Sequence, residues 1–273
     1  MNGATFRAER LSARVIRIRD VLDVACYLVM GEETACLIDT GHGLGDLRSY
    51  VETLTDLPVF VILTHGHIDH ANAAALWDEV WMHPADLEIY RKHSDLSFRQ
   101  HELAAHEETR EIPVSEYNPV RTKEFRPLHD GQLFDLGSLV LEVIHTPGHT
   151  PGMCMILIRE ERMILFGDGC GLEVLLIFPD SSTVSDYRRT LLKLKAYEDR
   201  YDRILRNHGT CESGKELLEH CIGCCEDILA GTDAAMCVEF GGIAALSARE
   251  VDENHVRTDG KEGNIIYTED KRC

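Results

Sequence analysis

Three histidines and an aspartate crowd into Thr64-His65-Gly66-His67-Ile68-Asp69-His70, directly after the apolar run Val61-Ile62-Leu63. Imidazole nitrogen and carboxylate oxygen are the usual protein donors to zinc and related transition metals. Alternate residues of an extended loop face the same way, so His65 and His67 can address one ion while Asp69 and His70 turn towards a second. A His-x-His-x-Asp-His run at the mouth of a strand therefore reads as one half of a two-metal hydrolytic site. Two dications about 3.5–4 Å apart can share a water and lower its pKa towards neutrality. The resulting hydroxide would attack a carbonyl polarised by one ion, cleaving a carboxylic ester, thioester, lactone or lactam without a serine nucleophile.

Three further donors sit in comparable surroundings. His149 lies in His145-Thr146-Pro147-Gly148-His149, Asp168 in Leu165-Phe166-Gly167-Asp168-Gly169, and His208 in Arg206-Asn207-His208-Gly209. Each follows an apolar run and stands beside a glycine, which lets the backbone turn sharply and approach a compact centre. The fourfold repetition of this arrangement implies that the loops converge.

The elements that must position these donors can be read from periodicity. Strand-like runs cover residues 15–18, 25–30, 35–38 and 58–63, and the third ends in the turn-rich Asp39-Thr40-Gly41-His42-Gly43. Leu44, Leu47, Val51 and Leu54 are spaced for a helix. Residues 71–77 are expected to be helical with Asp69 as N-cap, followed by a strand at 80–83 and a helix opened by Pro84. Residues 93–129 are charged and proline-bearing and read as an inserted helix plus loop. Strand composition returns at 132–134, 139–144, 153–158 and 163–166. An amphipathic helix comes next over 184–197, then a strand over 203–205, a helix over 212–229 and a closing strand or hairpin over 263–267. Strands alternate with helices yet several run consecutively, which favours sheets covered by helices over one doubly wound sheet.

Composition narrows the setting. Lys plus Arg number 28 and Asp plus Glu 47, for a net charge of −19. That field repels phosphate backbones and argues against nucleic acid as a partner. No stretch approaches the roughly 18 apolar residues of a membrane span. The arginine-bearing segment from Met1 to Arg19 lacks the apolar core of an export signal, so a cytoplasmic protein with its ten cysteines reduced is expected.

With these motifs in place, the chain resembles the metallo-β-lactamase-fold metallo-hydrolase superfamily, in its glyoxalase II-like and lactonase-like branch. Leu37-Ile38-Asp39-Thr40-Gly41 is similar to the family's first motif, Thr64 to His70 to its metal-binding signature, and His149, Asp168 and His208 to the later motifs. The resemblance covers about Ala13 to Gly209. It implies an α+β fold, a four-layer αβ/βα sandwich, in a single domain over 1–273 with the insertion at about 93–129 and a C-terminal extension at about 212–273. It further implies that His65, His67 and His149 hold one divalent ion, that Asp69, His70 and His208 hold another, and that Asp168 bridges them. Asp69 and Asp168 are thereby the carboxylates most directly engaged in catalysis, and Asp39 supports the site from behind. Two zinc ions are the expected cofactors, with iron or manganese as alternatives. The expected partner is a small-molecule metabolite, and a homodimer is compatible with this type of enzyme.

Two other readings stay open: a mononuclear iron-dependent, persulfide dioxygenase-like oxidoreductase on the same fold, and a metal-containing binding module without turnover. His83 is read as capping the following helix, His42 as a turn residue, and His101 and His106 as solvated. Cys221, Cys224 and Cys225 suggest a zinc half-site, but their apolar helical surroundings favour buried thiols.

Overall fold

Strands whose two faces are both covered have no polar alternation, and β3 (Ala25–Met30) and β4 (Ala35–Ile38), buried along almost their entire length, are of this kind. They lie in the middle of the N-terminal sheet of the computed structural model, which describes residues 6–273. The expectation that the N-terminal segment is no export signal falls partly on residues 1–5, outside the described residues. Two compact units are formed, one by the residues up to Ile144 with Asn207–Gly209, the other by His145–Arg206 with Thr210–Cys273.

The first unit carries a seven-stranded sheet in sequence order: β1 (Arg7–Arg10), β2 (Val15–Arg19), β3, β4, β5 (Val59–Ile62), β6 (Val80–Met82) and β7 (Arg126–Pro127). The first four strands are antiparallel, whereas β4 to β7 run parallel, with Ile38 opposite Ile62 and Ile62 opposite Trp81. Parallel strands need crossovers. These are supplied by α1 (Leu47–Glu52), α2 (Ile68–Ala71), α3 (Leu87–His93) and α4 (Leu96–Ala104). A hairpin of β8 (Leu133–Asp135) and β9 (Val140–His145) comes after them. Ile18, Leu28, Leu37, Val61 and Leu63 pack with Leu47, Val51 and Trp77 into the core of this unit.

In the second unit β10 (Cys154–Ile158), β11 (Met163–Leu165), β13 (Arg203–Leu205) and β14 (Glu212–Ser213) lie side by side, β11 and β13 in parallel. A separate four-stranded sheet has the order β12 (Val174–Leu176), β17 (Ile265–Tyr267), β16 (Ile243–Ser247) and β15 (Met236–Phe240). Helix α5 (Val184–Leu194) buries Val184, Tyr187, Leu191 and Leu194 on one face, and its N-cap Thr183 accepts the amide of Asp186. It packs on α6 (Glu216–Ala230), which ends at Gly231 in the left-handed conformation favoured after helices.

Three sequence expectations need correction. Helix α2 begins at Ile68 rather than residue 71, so Asp69 sits in its first turn and His67 holds the N-cap position. The element after α2 is only a 3₁₀ turn at Ala74–Leu76. The helix expected over 44–54 is shortened to Leu47–Glu52 because the Asp46 side chain caps the Ser49 amide. The helix expected from 212 starts at Glu216, since Glu212 and Ser213 pair with β13.

Candidate metal centre

In sheets with parallel strands, functional groups gather at the carboxyl ends, where successive loops emerge on one edge. Asp39 follows β4 and Thr64 to His67 follow its parallel neighbour β5, so the two loops leave the sheet side by side. The Asp39 amide donates to the Ile62 carbonyl at 2.9 Å, extending the ladder to the mouth of the site. Asp39 is fully buried and takes φ +65°, a left-handed conformation that costs a non-glycine residue on the order of 1–3 kcal/mol. That strained backbone turns its carboxylate onto the neighbouring loop. One oxygen accepts the Thr64 amide at 2.7 Å; the other accepts His70 Nδ1–H at 2.9 Å and Asn207 Nδ2–H at 3.1 Å.

The donor loop is held through alternate amides by three side chains. Thr64 N–H goes to Asp39, Gly66 N–H to Asp86 Oδ2 at 2.9 Å, and Ile68 N–H to His93 Nδ1 at 3.3 Å. His65 and His67 alternate with these anchored positions. Gly66 is required by space: a Cβ there would lie 2.8 Å from the Asp86 carbonyl oxygen and 2.9 Å from the Tyr90 amide nitrogen. The loop can therefore rest directly on the start of α3.

Hydrogen bonding assigns the ring nitrogens. His70 gives Nδ1–H to Asp39. The Thr64 hydroxyl donates to Asp39 at 2.8 Å and so accepts His65 Nδ1–H at 3.1 Å. Both imidazoles thus present the Nε2 lone pair, the arrangement in which a buried carboxylate orients metal-binding histidines. Asp69 Oδ2 lies 3.3 Å from His70 Nε2 and 3.2 Å from His208 Nε2. One donor atom each from Asp69, His70 and His208 falls within 4.8 Å of the others, and the same holds for His65 and His67. His65 and His70 are fully buried, while the His208 side chain is 46% exposed and marks the solvent side.

Burial alone would raise the Asp69 carboxyl. The charge of His70 and hydrogen bonds from His208 and His70 outweigh it and hold the group well below the ordinary carboxylate range. A lone pair of His70 Nε2 facing a carboxylate oxygen is repulsive unless a proton or a metal cation lies between them. Two such nitrogens around one carboxylate match the donor set of a divalent transition metal. The residues fit such an ion.

In the second unit His149 and Asp168 form a smaller pair, with His149 Nε2 3.8 Å from Asp168 Oδ2. His149 Nδ1–H donates to the Leu175 carbonyl at 3.0 Å, again leaving Nε2 as the lone-pair nitrogen, and the ring meets the Phe178 ring edge-on at 5.7 Å. Asp168 follows β11 in a 3₁₀ turn. Gly148 lies against Tyr187, whose Cδ2 would be 2.3 Å from any Cβ at that position.

Asp86 and His93 belong to the surroundings of the candidate site and were not picked out from the sequence. They act on backbone amides of a loop that precedes them by 20 and 25 residues, which no local motif announces. Arg99 is another: buried, it donates to the carbonyls of Gly43 and Asn118 and lies over the Tyr117 ring, tying the 93–129 insertion to the loop after Asp39. His83 caps the Pro84 turn through the Ala85 amide, as expected. His42 is a buried turn residue whose Nδ1 pairs with Asp20 at 2.7 Å, and His101 and His106 are exposed. Cys221, Cys224 and Cys225 are buried thiols, and burial pushes Cys224 up to about 11. Among the described residues no helix is long and apolar enough to cross a membrane.

The model of the family described as "Metallo-beta-lactamase superfamily" matches residues 19–201. An acyl-coenzyme A thioesterase of Homo sapiens, MBLAC2, is 27% identical over 204 residues, covering 67% of this chain and 71% of that protein. A probable polyketide biosynthesis zinc-dependent hydrolase of Bacillus velezensis, BaeB, is 23% identical over 200 residues, covering 71% of this chain and 76% of its own. Among solved structures, a metallo-beta-lactamase from Pontibacter korlensis superposes with a TM-score of 0.60 at 17% identity, covering 82% of this chain and 100% of that one.

Proposed function

Because the chain belongs to the metallo-beta-lactamase superfamily, we propose that this metal-dependent hydrolase of α+β fold is a two-metal enzyme acting on a small acyl thioester. The observation that carries the reading is the Asp69 carboxylate, set 3.2–3.3 Å from two imidazole Nε2 atoms, one of them locked from behind by Asp39. In this reading His65, His67 and His149 hold one ion, Asp69, His70 and His208 a second, and Asp168 is shared. Zinc is the proposed metal, in keeping with the named dependence of the Bacillus relative.

Two divalent ions would supply a water-derived nucleophile at neutral pH and a Lewis acid for the carbonyl. The residues of the chain do the rest. Asp39 fixes the ring tautomers of His70 directly and of His65 through the Thr64 hydroxyl, so no reorganisation is needed at the donors. His208 stands at the solvent edge, where a substrate enters. Thioesters are favoured over lactones and simple esters by the acyl-coenzyme A thioesterase among the relatives. The proposal includes a reducing, cytoplasmic setting, supported by ten unbridged cysteines.

The test is metal analysis of the purified protein followed by thiol-release assays on acyl thioesters, with lactones and aryl esters alongside. Two equivalents of metal and preferential thioester cleavage are expected. Asp69→Ala and His149→Ala should each lower turnover more than about 100-fold, beyond the range of outer-sphere changes, with the far-ultraviolet spectrum retained. A single iron with oxygen consumption would sink the hydrolase reading, and tight metal binding without turnover would leave a binding module.

A further inference from the structure

We infer that His93 is a positioning residue for His67, holding both its imidazole ring and the peptide that follows it, and so tunes one of the two metal sites selectively. The inference rests on the two-metal reading and extends it to a residue outside every motif.

Two independent contacts converge on this side chain. Its ring is stacked on that of His67, with centroids 4.6 Å apart and planes 16° from parallel. Its Nδ1 accepts the N–H of Ile68, the residue after His67. Ile68 opens α2, and the first amides of a helix have no partner within it. The N-cap residue is His67, whose side chain makes no capping bond, so the acceptor is brought in from the end of α3. Acceptance at Nδ1 leaves the ring proton of a neutral His93 on Nε2.

His93 is itself supported. Phe98 of α4 packs on its ring at a centroid separation of 4.3 Å. Asn72 Nδ2 spans the carbonyls of Ile68 and His93, at 2.9 and 3.2 Å, and so closes the end of α2 on the end of α3. His67 is thus bracketed through its ring and its backbone, whereas His70 is oriented by Asp39. Partners that orient a ligand in this manner typically alter metal affinity about 10–100-fold when removed.

Two substitutions divide the contacts. His93→Phe keeps a ring to stack but removes the acceptor; His93→Gln keeps an acceptor and removes the stack. Chelator-stripped protein is titrated with Co(II) alone and followed by its visible absorption, with circular dichroism as the check on folding. In both variants one equivalent should bind about 10–100-fold more weakly, with a changed absorption band, while the other is unaffected. The exposed His101→Gln is the control and should behave as wild type. Wild-type affinity and spectrum for both equivalents in both variants would overturn the inference, as would equal weakening of both equivalents. A wild-type protein that takes up one equivalent contradicts the two-metal reading instead, and the variants then decide on His93 by whether that ion is weakened.

Discussion

The Asp39 carboxylate and the His70 imidazole are joined at 2.9 Å with side chains 1% and 0% exposed, and the same carboxylate also takes the Thr64 amide and the Asn207 side-chain amide. One buried anion thus ties its own loop to the donor loop and to the segment that carries His208. Replacing it by Asn leaves one acceptor oxygen and puts an NH₂ group where either the Thr64 amide or the His70–Asn207 pair offers its own protons, and each buried donor left unmatched costs about 1–3 kcal/mol. Asp39→Asn should lower the melting temperature of the metal-free protein and weaken metal binding about 10–100-fold. Calorimetry of the stripped protein and a zinc titration check both. Unchanged affinity would mean that Asp39 serves folding alone.

Gly66 is set by the backbone of α3 rather than by its own conformation. Gly66→Ala forces a methyl group against Asp86 and Tyr90, and overpacking of this kind costs about 1–3 kcal/mol. A fall of several degrees in the melting temperature is expected, together with loss of metal as the loop shifts between His65 and His67. Gly171→Ala is the comparison. Its Cβ would meet nothing nearer than 3.6 Å, and its melting temperature should stay within a degree or so of wild type.

Acid stability has an identifiable contributor away from the candidate metal ligands. Burial raises the Asp20 carboxyl, but the charge of His42, its hydrogen bonds and the Val24 amide outweigh this and hold the group below its usual value. A carboxyl depressed in the folded state stabilises it fully above the unfolded value near about 3.9 and loses that contribution as pH falls through the folded value. Metal-free wild-type protein should therefore lose more stability between about pH 5.5 and pH 3 than Asp20→Asn, read as the shift in urea midpoint. Parallel curves would rule Asp20 out.

Thiol chemistry should divide the ten cysteines by exposure. Cys237 and Cys273 are exposed and the other eight are buried. Burial lifts Cys26 and Cys36 well above the ordinary thiol range, which suppresses the reactive thiolate. An aromatic disulfide reagent at mild alkaline pH should react rapidly with Cys237 and Cys273, with the remainder following only on denaturation. Fast reaction beyond those two would place buried thiols on an accessible path.

Much of the fold was legible in the sequence because the physics was local. β3 and β4 are buried on both faces, so they read as unbroken apolar runs. The candidate donors His65 to His70 are adjacent in the chain, so the set could be picked out from local spacing alone. The features that escaped act at a distance or at half exposure. Asp86, His93 and Arg99 bond backbone groups far from them in sequence, and their roles depend on where α3 and α4 lie. The hairpin of β15 and β16 went unnoticed because its residues are mostly exposed or half-buried, which blurs alternation. The start of α2 was misplaced because its leading amide is capped by His93 rather than by a neighbouring Asp or Ser.

Asn207 pairs with Ala25 twice, its side-chain Nδ2 giving to the Ala25 carbonyl at 2.6 Å and its backbone carbonyl accepting the Ala25 amide at 2.8 Å. A short stretch late in the chain is thereby stitched to one of the first strands, and His208 is carried in beside Asp69. The order of synthesis therefore bears on when this candidate donor set can be completed. A nascent chain that has already displayed His65 to His70 still lacks the donor at 208, and the Asp69–His70–His208 set closes only after synthesis has passed residue 208 of 273. On the two-metal reading, the second ion's site would thus be complete only late in synthesis.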